Sequence, residues 1–312
     1  MVSITVESKL YNPNPNSYTI SNDILTVYDV KTIDSETGSV INRDIDYRLK
    51  SDNNGIYLDF VFISDIHYPL CDNNKLNSII DFIRRVKPNE IIYGGDIIDK
   101  PDDINWYKSL VNSLKEYTDC SIGLGDTHLE QCLYTNYTEC NNTKFTKSPI
   151  LSKTLNNNAT FTWNEIAKSI GVDKYYCSKF IYFPLPLYQT NLGTMHGFST
   201  FECKRLNGVR KPIVNCNYSP YIEDYIFRST KTNEKMPRVV IPFNLIVGHH
   251  HRRCHRTVQV KHKQYKFEKH VFINGCLHKG DKAGLIYVKY YYKLLNQDFN
   301  GDKFTVNIVE HN

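Results

Sequence analysis

The chain has 312 residues, of which 41% are hydrophobic and 23% are charged. These fractions are close to the globular average, so they exclude a wholly disordered or fibrous chain, and the length allows one or two domains. The 38 Lys and Arg residues against 33 Asp and Glu residues give a net charge of +5, an excess too small to identify a partner by itself.

The sequence also bears on the compartment in which the protein works. It contains no run near the roughly 18 consecutive apolar residues of a membrane span. Its first residues lack the basic segment followed by an apolar segment that marks a secretory signal. Its Cys residues, 9 in number, include no Cys-x-x-Cys pair, which favours reduced thiols over a disulfide framework. We therefore expect a cytoplasmic protein with no membrane partner.

The pattern of apolar residues changes near residue 55. Residues 1–55 carry short apolar alternations between turn-forming residues, which predicts a small β-rich N-terminal extension. The near-continuous apolar run at 56–63 then predicts a strand that is buried on both faces. We expect the main domain, 56–312, to begin with this strand.

Helices and strands alternate after this first strand. Apolar residues at helical spacing after Asp72 predict a helix that ends before Pro88, and a similar pattern after Pro101 predicts a second helix. Apolar runs at 90–93 and 120–122 predict two more strands. This order is typical of a parallel sheet with right-handed crossovers, and so of an α/β fold.

The second half of the chain is harder to assign. The polar, Asn-rich segment at about 130–180 is interpreted as an insertion with one helical signal at 163–170. Runs of strand length and β-forming composition follow, and they predict a second half-sheet that faces the first. These runs lie at 180–187, 191–195, 241–247, 271–273, 285–292 and 304–309.

Side chains that can bind metals follow the predicted strands. Alternation in an extended segment would place Asp65 and His67 on one side, and Gly95 allows a sharp turn before Asp96. Because ligands collect at the carboxyl ends of parallel strands, we expect these side chains to meet. Further candidates follow the later strands: Asp126, His128, His196, His249 and His251.

Such a set of ligands suits phosphoester chemistry. Two cations about 3.5–4 Å apart can neutralise phosphoryl oxygens and make a nucleophile from water, and one carboxylate can lie between them. Mixed Asp and His ligands fit Mn²⁺, iron or Zn²⁺ better than Ca²⁺, which prefers oxygen ligands alone. We expect two divalent ions, with Mn²⁺ as the first choice.

Taken in order, the motifs resemble those of the calcineurin-like metallophosphoesterase superfamily and, more loosely, its phage and viral members. The gaps of about 30 residues between the first three motifs leave room for a helix and a returning strand. Asn274-Gly275-Cys276-Leu277 is similar to the turn after the last His pair in many members. The motifs are Asp65-Ile66-His67, Gly95-Asp96, Gly125-Asp126-Thr127-His128, His196 and Gly248-His249-His250-His251.

This resemblance implies a fold and a role for each residue. The fold is a four-layered αββα sandwich, and if the protein is viral its location is the host cytoplasm. Asp96 bridges the two ions, and a metal-bound hydroxide attacks phosphorus in line. The first ion is held by Asp65, His67 and His251, and the second by Asp126, His196 and His249.

The third motif departs from the family pattern. Asp126 stands where the family has Asn, and Thr127 stands where it has the His that helps the leaving group. Threonine cannot act as a general acid at neutral pH. Either His128, one position later, takes that catalytic role, or leaving-group help is weak.

A basic stretch follows the last motif. Lys and Arg residues dominate 252–269, where Glu268 is the one acidic residue. One interpretation is an electropositive rim in which Arg252 and Arg253 bind the substrate. The other is an ordinary charged hairpin, because the stretch alternates between apolar and polar residues.

The expected activity is that of a phosphodiesterase or nuclease. The segment from Gly95 to Pro101 lacks the Arg-Gly pair that follows the second Asp in the superfamily's Ser/Thr protein phosphatases. The expected substrate is a phosphodiester, with nucleic acid as a candidate. Two alternatives stay open: a weakened scaffold that binds nucleic acid or protein, and a nucleotide phosphomonoesterase. The sequence does not predict the oligomeric state.

Overall fold

The computed structural model describes most of the first 125 residues and a series of later segments. None of the helices in the described segments is long and apolar enough to cross a membrane. The described residues are 2–8, 17–125, 163–176, 182, 184–185, 192–196, 203–206, 209–212, 244–249, 251, 253–262, 265–277, 284–291 and 302–310.

Strands outnumber helices in these segments. The helices are α1 (Asn73–Val86), α2 (Ile104–Leu114) and α3 (Trp163–Ile170). The strands are β1 (Val2–Ser8), β2 (Tyr18–Ser21), β3 (Ile24–Ile33), β4 (Val40–Arg48), β5 (Lys50–Asp52), β6 (Gly55–Ile63), β7 (Glu90–Tyr93), β8 (Cys120–Leu124), β9 (Lys174–Tyr176), β10 (Leu192–Met195), β11 (Cys203–Leu206), β12 (Val209–Pro212), β13 (Asn244–Val247), β14 (Cys254–His262), β15 (Tyr265–Ile273), β16 (Gly284–Tyr291) and β17 (Asp302–Glu310).

The main sheet is mixed and has 8 strands in the order β1-β17-β16-β6-β7-β8-β9, with β5 paired to β6. Strands β6 to β9 are parallel to one another, which confirms the α/β prediction for the first half of the chain. The assignment of 285–292 and 304–309 to a second half-sheet is wrong. Strand β16 pairs antiparallel with β6, and β17 pairs with β16, so both extend the first sheet.

The helices cover one face of this sheet. Asp72 caps α1 by accepting hydrogen bonds from the backbone N–H groups of Asn74 and Lys75, and the helix ends at Val86, followed by the C-cap Lys87 in a left-handed conformation before Pro88. Side chains from α1, α2 and α3 form one apolar core with every second residue of the central strands. Its members include Val61, Ile63, Ile79, Ile83, Ile91, Val111 and Ile170.

A second sheet, in the order β10-β13-β15-β14, lies across the other face. Phe60 and Phe62 of β6 point to this side and belong to one buried core with Ile246 of β13 and Phe272 of β15. Strand β6 is therefore buried on both faces, as its apolar run predicts. Helices, main sheet and second sheet make three of the four layers expected, and an outer helical layer is not among the described residues.

The N-terminal strands are not isolated from the main sheet. Strands β2, β3 and β4 form a small antiparallel sheet whose Leu25 and Val27 enter the inter-sheet core. Strands β1 and β5 join the main sheet itself. Likewise β9 extends its parallel part, and α3 packs in the core on its helical face. Domain boundaries at 55 and around the 130–180 segment stay predictions.

Two buried acids anchor this framework. Asp59 lies at the centre of β6, and Lys50 Nζ is 2.8 Å from both of its carboxylate oxygens. The same Nζ donates to the carbonyl oxygen of Lys87 at 2.6 Å, and the Tyr287 hydroxyl donates to Asp59 at 2.6 Å. The pair therefore ties β5, β6 and β16 to the end of α1.

Glu90, at the start of β7, is the second buried acid. It accepts hydrogen bonds from the hydroxyls of Tyr47 and Tyr182 and from the Leu185 backbone N–H. Burial raises the pKa of Glu90, although Lys174 and these hydrogen bonds oppose the rise. The side chain thus links the main sheet to the β2-β3-β4 sheet.

Candidate metal centre

Six of the predicted ligands lie at one edge of the two sheets. They follow the carboxyl ends of strands β6, β7, β10 and β13, as expected for a parallel arrangement. Hydrogen bonds join the loops there, such as the one from the His249 backbone N–H to an Asp65 carboxylate oxygen at 2.8 Å. The six are Asp65, His67, Asp96, His196, His249 and His251.

Other predicted residues lie outside the described part of the chain. These are Asp126, His128 and Arg252, and their motif neighbours Thr127 and His250 also lie outside it. The role of His128 in helping the leaving group and the binding of the second ion by Asp126 therefore stay predictions. The same holds for Arg252 as a substrate-binding residue.

The backbone at the site is not extended, so the alternation argument for Asp65 and His67 is wrong. Strand β6 ends at Ile63, and the two residues have φ angles of 56° and 53°. A left-handed conformation costs a non-glycine residue about 1–2 kcal/mol. It is stabilised here by the neighbouring loop, because the Asp65 N–H donates to Gly95 and the His67 N–H donates to Asp96.

The same conformation recurs at other residues of the site. Asp96 has a φ of 48°, His249 of 67° and His251 of 52°. Non-glycine residues in this region are uncommon and tend to cluster where function requires them. Five of the six side chains at the site thus leave the backbone from a left-handed position.

The first group of ligand atoms comes from Asp96, His196 and His249, and these atoms lie within 4.8 Å of one another. Nδ1 of the buried His196 is 2.7 Å from the carbonyl oxygen of Gly94, and a carbonyl only accepts, so Nδ1 carries the proton. Nε2 of His196 is then 3.2 Å from Asp96 Oδ2, and Nδ1 of His249 is 3.7 Å from the same oxygen. Two imidazoles thus converge on one carboxylate oxygen.

Two glycines allow this close approach. Gly95 has a φ of 92°, and a Cβ there would lie 2.5 Å from Nδ1 of His196. A Cβ at Gly248 would lie 2.7 Å from Ser64 Oγ and 2.9 Å from Asp65 Oδ2. Both glycines precede ligand candidates, so the sequence motif reflects a steric requirement.

The second group contains Asp65, His67 and Asp96, again within 4.8 Å. His251 joins it, because its Nε2 is 3.0 Å from His67 Nε2 and 3.6 Å from Asp65 Oδ1. Asp99 lies on the far side of His67, with Oδ1 3.4 Å from Nδ1. This contact favours the tautomer that directs Nε2 into the site.

The two groups share Asp96 and concentrate charge in a buried place. Burial raises the pKa of Asp65 to about 6, Asp96 adds to the rise and His196 opposes it. Burial also acts to raise the pKa of Asp96, but His196 and His249 hold that pKa well below its usual range. Burial alone would lower the pKa of His196, whereas Asp96 and Asp65 raise it to about 9. Two buried carboxylates with imidazoles around them form a donor set that fits divalent cations.

Sequence reasoning missed Cys276 as a residue of this site. Its Sγ lies with ligand atoms of His67 and His251 inside a 4.8 Å group. In the same turn the buried Asn274 donates from Nδ2 to Ser64 Oγ at 3.2 Å, and that hydroxyl donates to Asp65. The resemblance of this turn to a family motif placed it after the last His pair but did not assign a ligand in it.

The basic stretch forms a hairpin of β14 and β15, which confirms the hairpin interpretation of its alternation. Arg253 packs beside Gly284, since a Cβ on that glycine would lie 3.4 Å from Arg253 Cδ. Gly284 begins β16, which runs antiparallel to β6, so Arg253 lies near the end of β6 that leads to Asp65. An electropositive rim stays a prediction.

The described residues thus define an α/β chain with a candidate centre for two cations. No family model and no curated protein matches the chain. A single-mutant form of Vps29 from Entamoeba histolytica is similar with a TM-score of 0.35 and 11% identity, over 82% of this chain and 100% of that one. TT1561 of Thermus thermophilus is similar with a TM-score of 0.31 and 10% identity, over 73% of this chain and 93% of that one. Neither match supports the looser resemblance to phage and viral members.

Proposed function

We propose that the protein is a dinuclear metal-dependent phosphoesterase that cleaves phosphodiesters, as a phosphodiesterase or nuclease does. The observation that carries the proposal is the position of Asp96. It belongs to the group with His196 and His249 and also to the group with Asp65 and His67. One carboxylate shared by two sets of ligands suits a closely spaced pair of cations.

The ligands divide between two positions. Asp65, His67 and His251 would hold one ion, His196 and His249 the other, and Asp96 both, with Asp126 as a further ligand of the second position. Two divalent ions would neutralise phosphoryl oxygens and activate water for attack on phosphorus. The Gly94 carbonyl orients the imidazole of His196, and the Asp99 carboxylate orients that of His67.

The exposure of the side chains suggests where a substrate enters. The His196 side chain is 0% exposed, that of His249 is 18% exposed and that of His251 is 41% exposed. A phosphate group would therefore reach the metals past His251. Arg253, which packs beside Gly284 near the end of β6 that leads to Asp65, is our candidate for the cation that attracts it.

Hydrolysis of bis-p-nitrophenyl phosphate tests the proposal. The protein loaded with Mn²⁺ or Zn²⁺ should cleave this diester, and Asp96→Asn or His249→Ala should reduce the rate to that of chelator-treated protein. His255→Ala is the matched control, because this imidazole pairs with His270 outside the ligand groups and its loss should leave the rate unchanged. A wild-type rate equal to that of Asp96→Asn would contradict the proposal and favour a binding scaffold.

The class of substrate needs a second comparison. A phosphodiesterase or nuclease should cleave the diester faster than p-nitrophenyl phosphate, whereas the reverse order would identify a phosphomonoesterase. If nucleic acid is the substrate, the rate of cleavage of a single-stranded oligonucleotide should fall steeply as the salt concentration rises. Binding releases counterions from the nucleic acid, and this release is less favourable at high ionic strength.

A further inference from the structure

We propose that Cys276 is a ligand of the ion held by His67 and His251, so that this position takes a thiolate-binding metal, Zn²⁺ or Fe²⁺, in preference to Mn²⁺. The inference rests on the proposed dinuclear site and names the chemistry of one of its two positions. It begins from the group of three donor atoms, Sγ and two imidazole nitrogens, within 4.8 Å.

The geometry of the two histidines supports a shared ion. Their Nε2 atoms are 3.0 Å apart. Nitrogens that each lie about 2.0–2.1 Å from one zinc ion can be separated by this distance. Asp99 beside His67 Nδ1 leaves Nε2 of that ring for the ion. The sulfur of Cys276 is therefore next to a formed pair of nitrogen ligands.

The backbone fixes Cys276 at this place. Two residues before it, the Asn274 N–H donates to the Val247 carbonyl at 2.9 Å. One residue after it, the Leu277 N–H donates to the Asp65 carbonyl at 2.9 Å. The turn is thus attached to the ends of β13 and β6, the strands that lead to the ligands.

A purely structural role explains the position of the Cys276 thiol less well than metal binding does. Cys71 and Cys120 are buried members of the two apolar cores. Cys276 is equally buried but belongs to neither core, and its Sγ lies within 4.8 Å of imidazole nitrogens of His67 and His251. In the same turn Asn274 Oδ1 is buried and has no hydrogen-bond partner within the described segments. The turn that carries Cys276 thus also carries this buried acceptor.

The chemistry of the donors decides the metal. Thiolate ligands favour zinc and iron, whereas Mn²⁺ favours carboxylate, carbonyl and water oxygens. On binding, the Cys276 thiol releases its proton to solvent and a metal–sulfur bond forms without any change of oxidation state. The second position, with Asp96, His196 and His249, has only oxygen and nitrogen ligands among the described residues.

X-ray absorption at the zinc edge tests the inference without reference to activity. The whole chain loaded with two equivalents of Zn²⁺ should show a sulfur neighbour at about 2.3 Å in addition to nitrogen and oxygen neighbours at about 2.0–2.2 Å. Cys276→Ser should lose the sulfur neighbour and weaken zinc binding at one of two positions by at least about 10–100-fold, the loss that even outer-shell substitutions cause. Cys120→Ser, a buried cysteine in the apolar core, should keep the sulfur signal.

Several outcomes would overturn the inference. Two bound zinc ions with no sulfur neighbour in wild type would refute the Cys276 ligand and leave the dinuclear phosphoesterase standing. A sulfur neighbour that persists in Cys276→Ser, or in Cys276→Ala should the serine variant not fold, would assign the sulfur to another residue. Failure of wild type to bind zinc while it binds two Mn²⁺ ions would refute the inference alone, and failure to bind either metal would refute the proposed function as well.

Discussion

Replacement of Lys50 by methionine should destabilise the protein strongly, because it leaves the Asp59 carboxylate buried without its cation. The Asp59 side chain is 0% exposed and that of Lys50 is 16% exposed. Removal of one partner of a buried ion pair costs about 3–5 kcal/mol. Since Lys50 reaches solvent slightly, we expect a loss near the lower end, about 3 kcal/mol, measured by urea denaturation.

Two further variants isolate the charge effect. Lys289→Met removes a similar pair, with Asp52, in which the side chains are 24% and 26% exposed, and should cost no more than about 1 kcal/mol. Lys50→Met combined with Asp59→Asn removes both charges and keeps an acceptor for the Asn89 N–H, so it should recover part of the loss. Equal losses for Lys50→Met and Lys289→Met, or a double variant less stable than Lys50→Met, would refute the reasoning.

Two other predictions concern the glycine at the metal centre and the buried acid of β7. Gly95→Ala should lower the free energy of unfolding by about 1–3 kcal/mol and release the metal proposed to bind near His196, because its Cβ would overlap that ring. Gly55→Ala, where nothing lies within 4 Å of the added Cβ, should show the cost of backbone strain alone and keep full metal content. Full metal content in Gly95→Ala would contradict this account. Because burial raises the pKa of Glu90, wild type should gain stability relative to Glu90→Gln as the pH falls from neutrality toward the usual value of 4.5, and a difference that is constant with pH would contradict the assignment.

The parallel strands and their helices could be predicted because the signals for them are local in the sequence. The apolar run at 56–63, the cap at Asp72 and the stop at Pro88 each act within a few residues, and each has its counterpart in the structure. The order of chemically competent residues at strand ends then allowed Asp65, Asp96 and their partners to be grouped from the sequence alone. The residues meet because a parallel sheet brings the carboxyl ends of its strands to one edge.

Non-local pairing explains what sequence reasoning missed. The run at 285–292 has the composition of any buried strand, and only its hydrogen bonds to β6 decide which sheet it joins. The left-handed backbone at Asp65 and His67 depends on acceptors in the Gly95 loop, about 30 residues away. The position of Cys276 within 4.8 Å of His67 is likewise a result of packing, so spacing in the sequence could not reveal it.

The central claim is that Asp96 lies between two cations. Crystals of the protein grown with zinc or manganese, measured at the absorption edge of the metal, test it most directly. The account predicts two anomalous peaks about 3.5–4 Å apart, each in contact with an Asp96 oxygen, one beside His67 and the other beside His196. A single peak, or two peaks of which neither contacts Asp96, would contradict it.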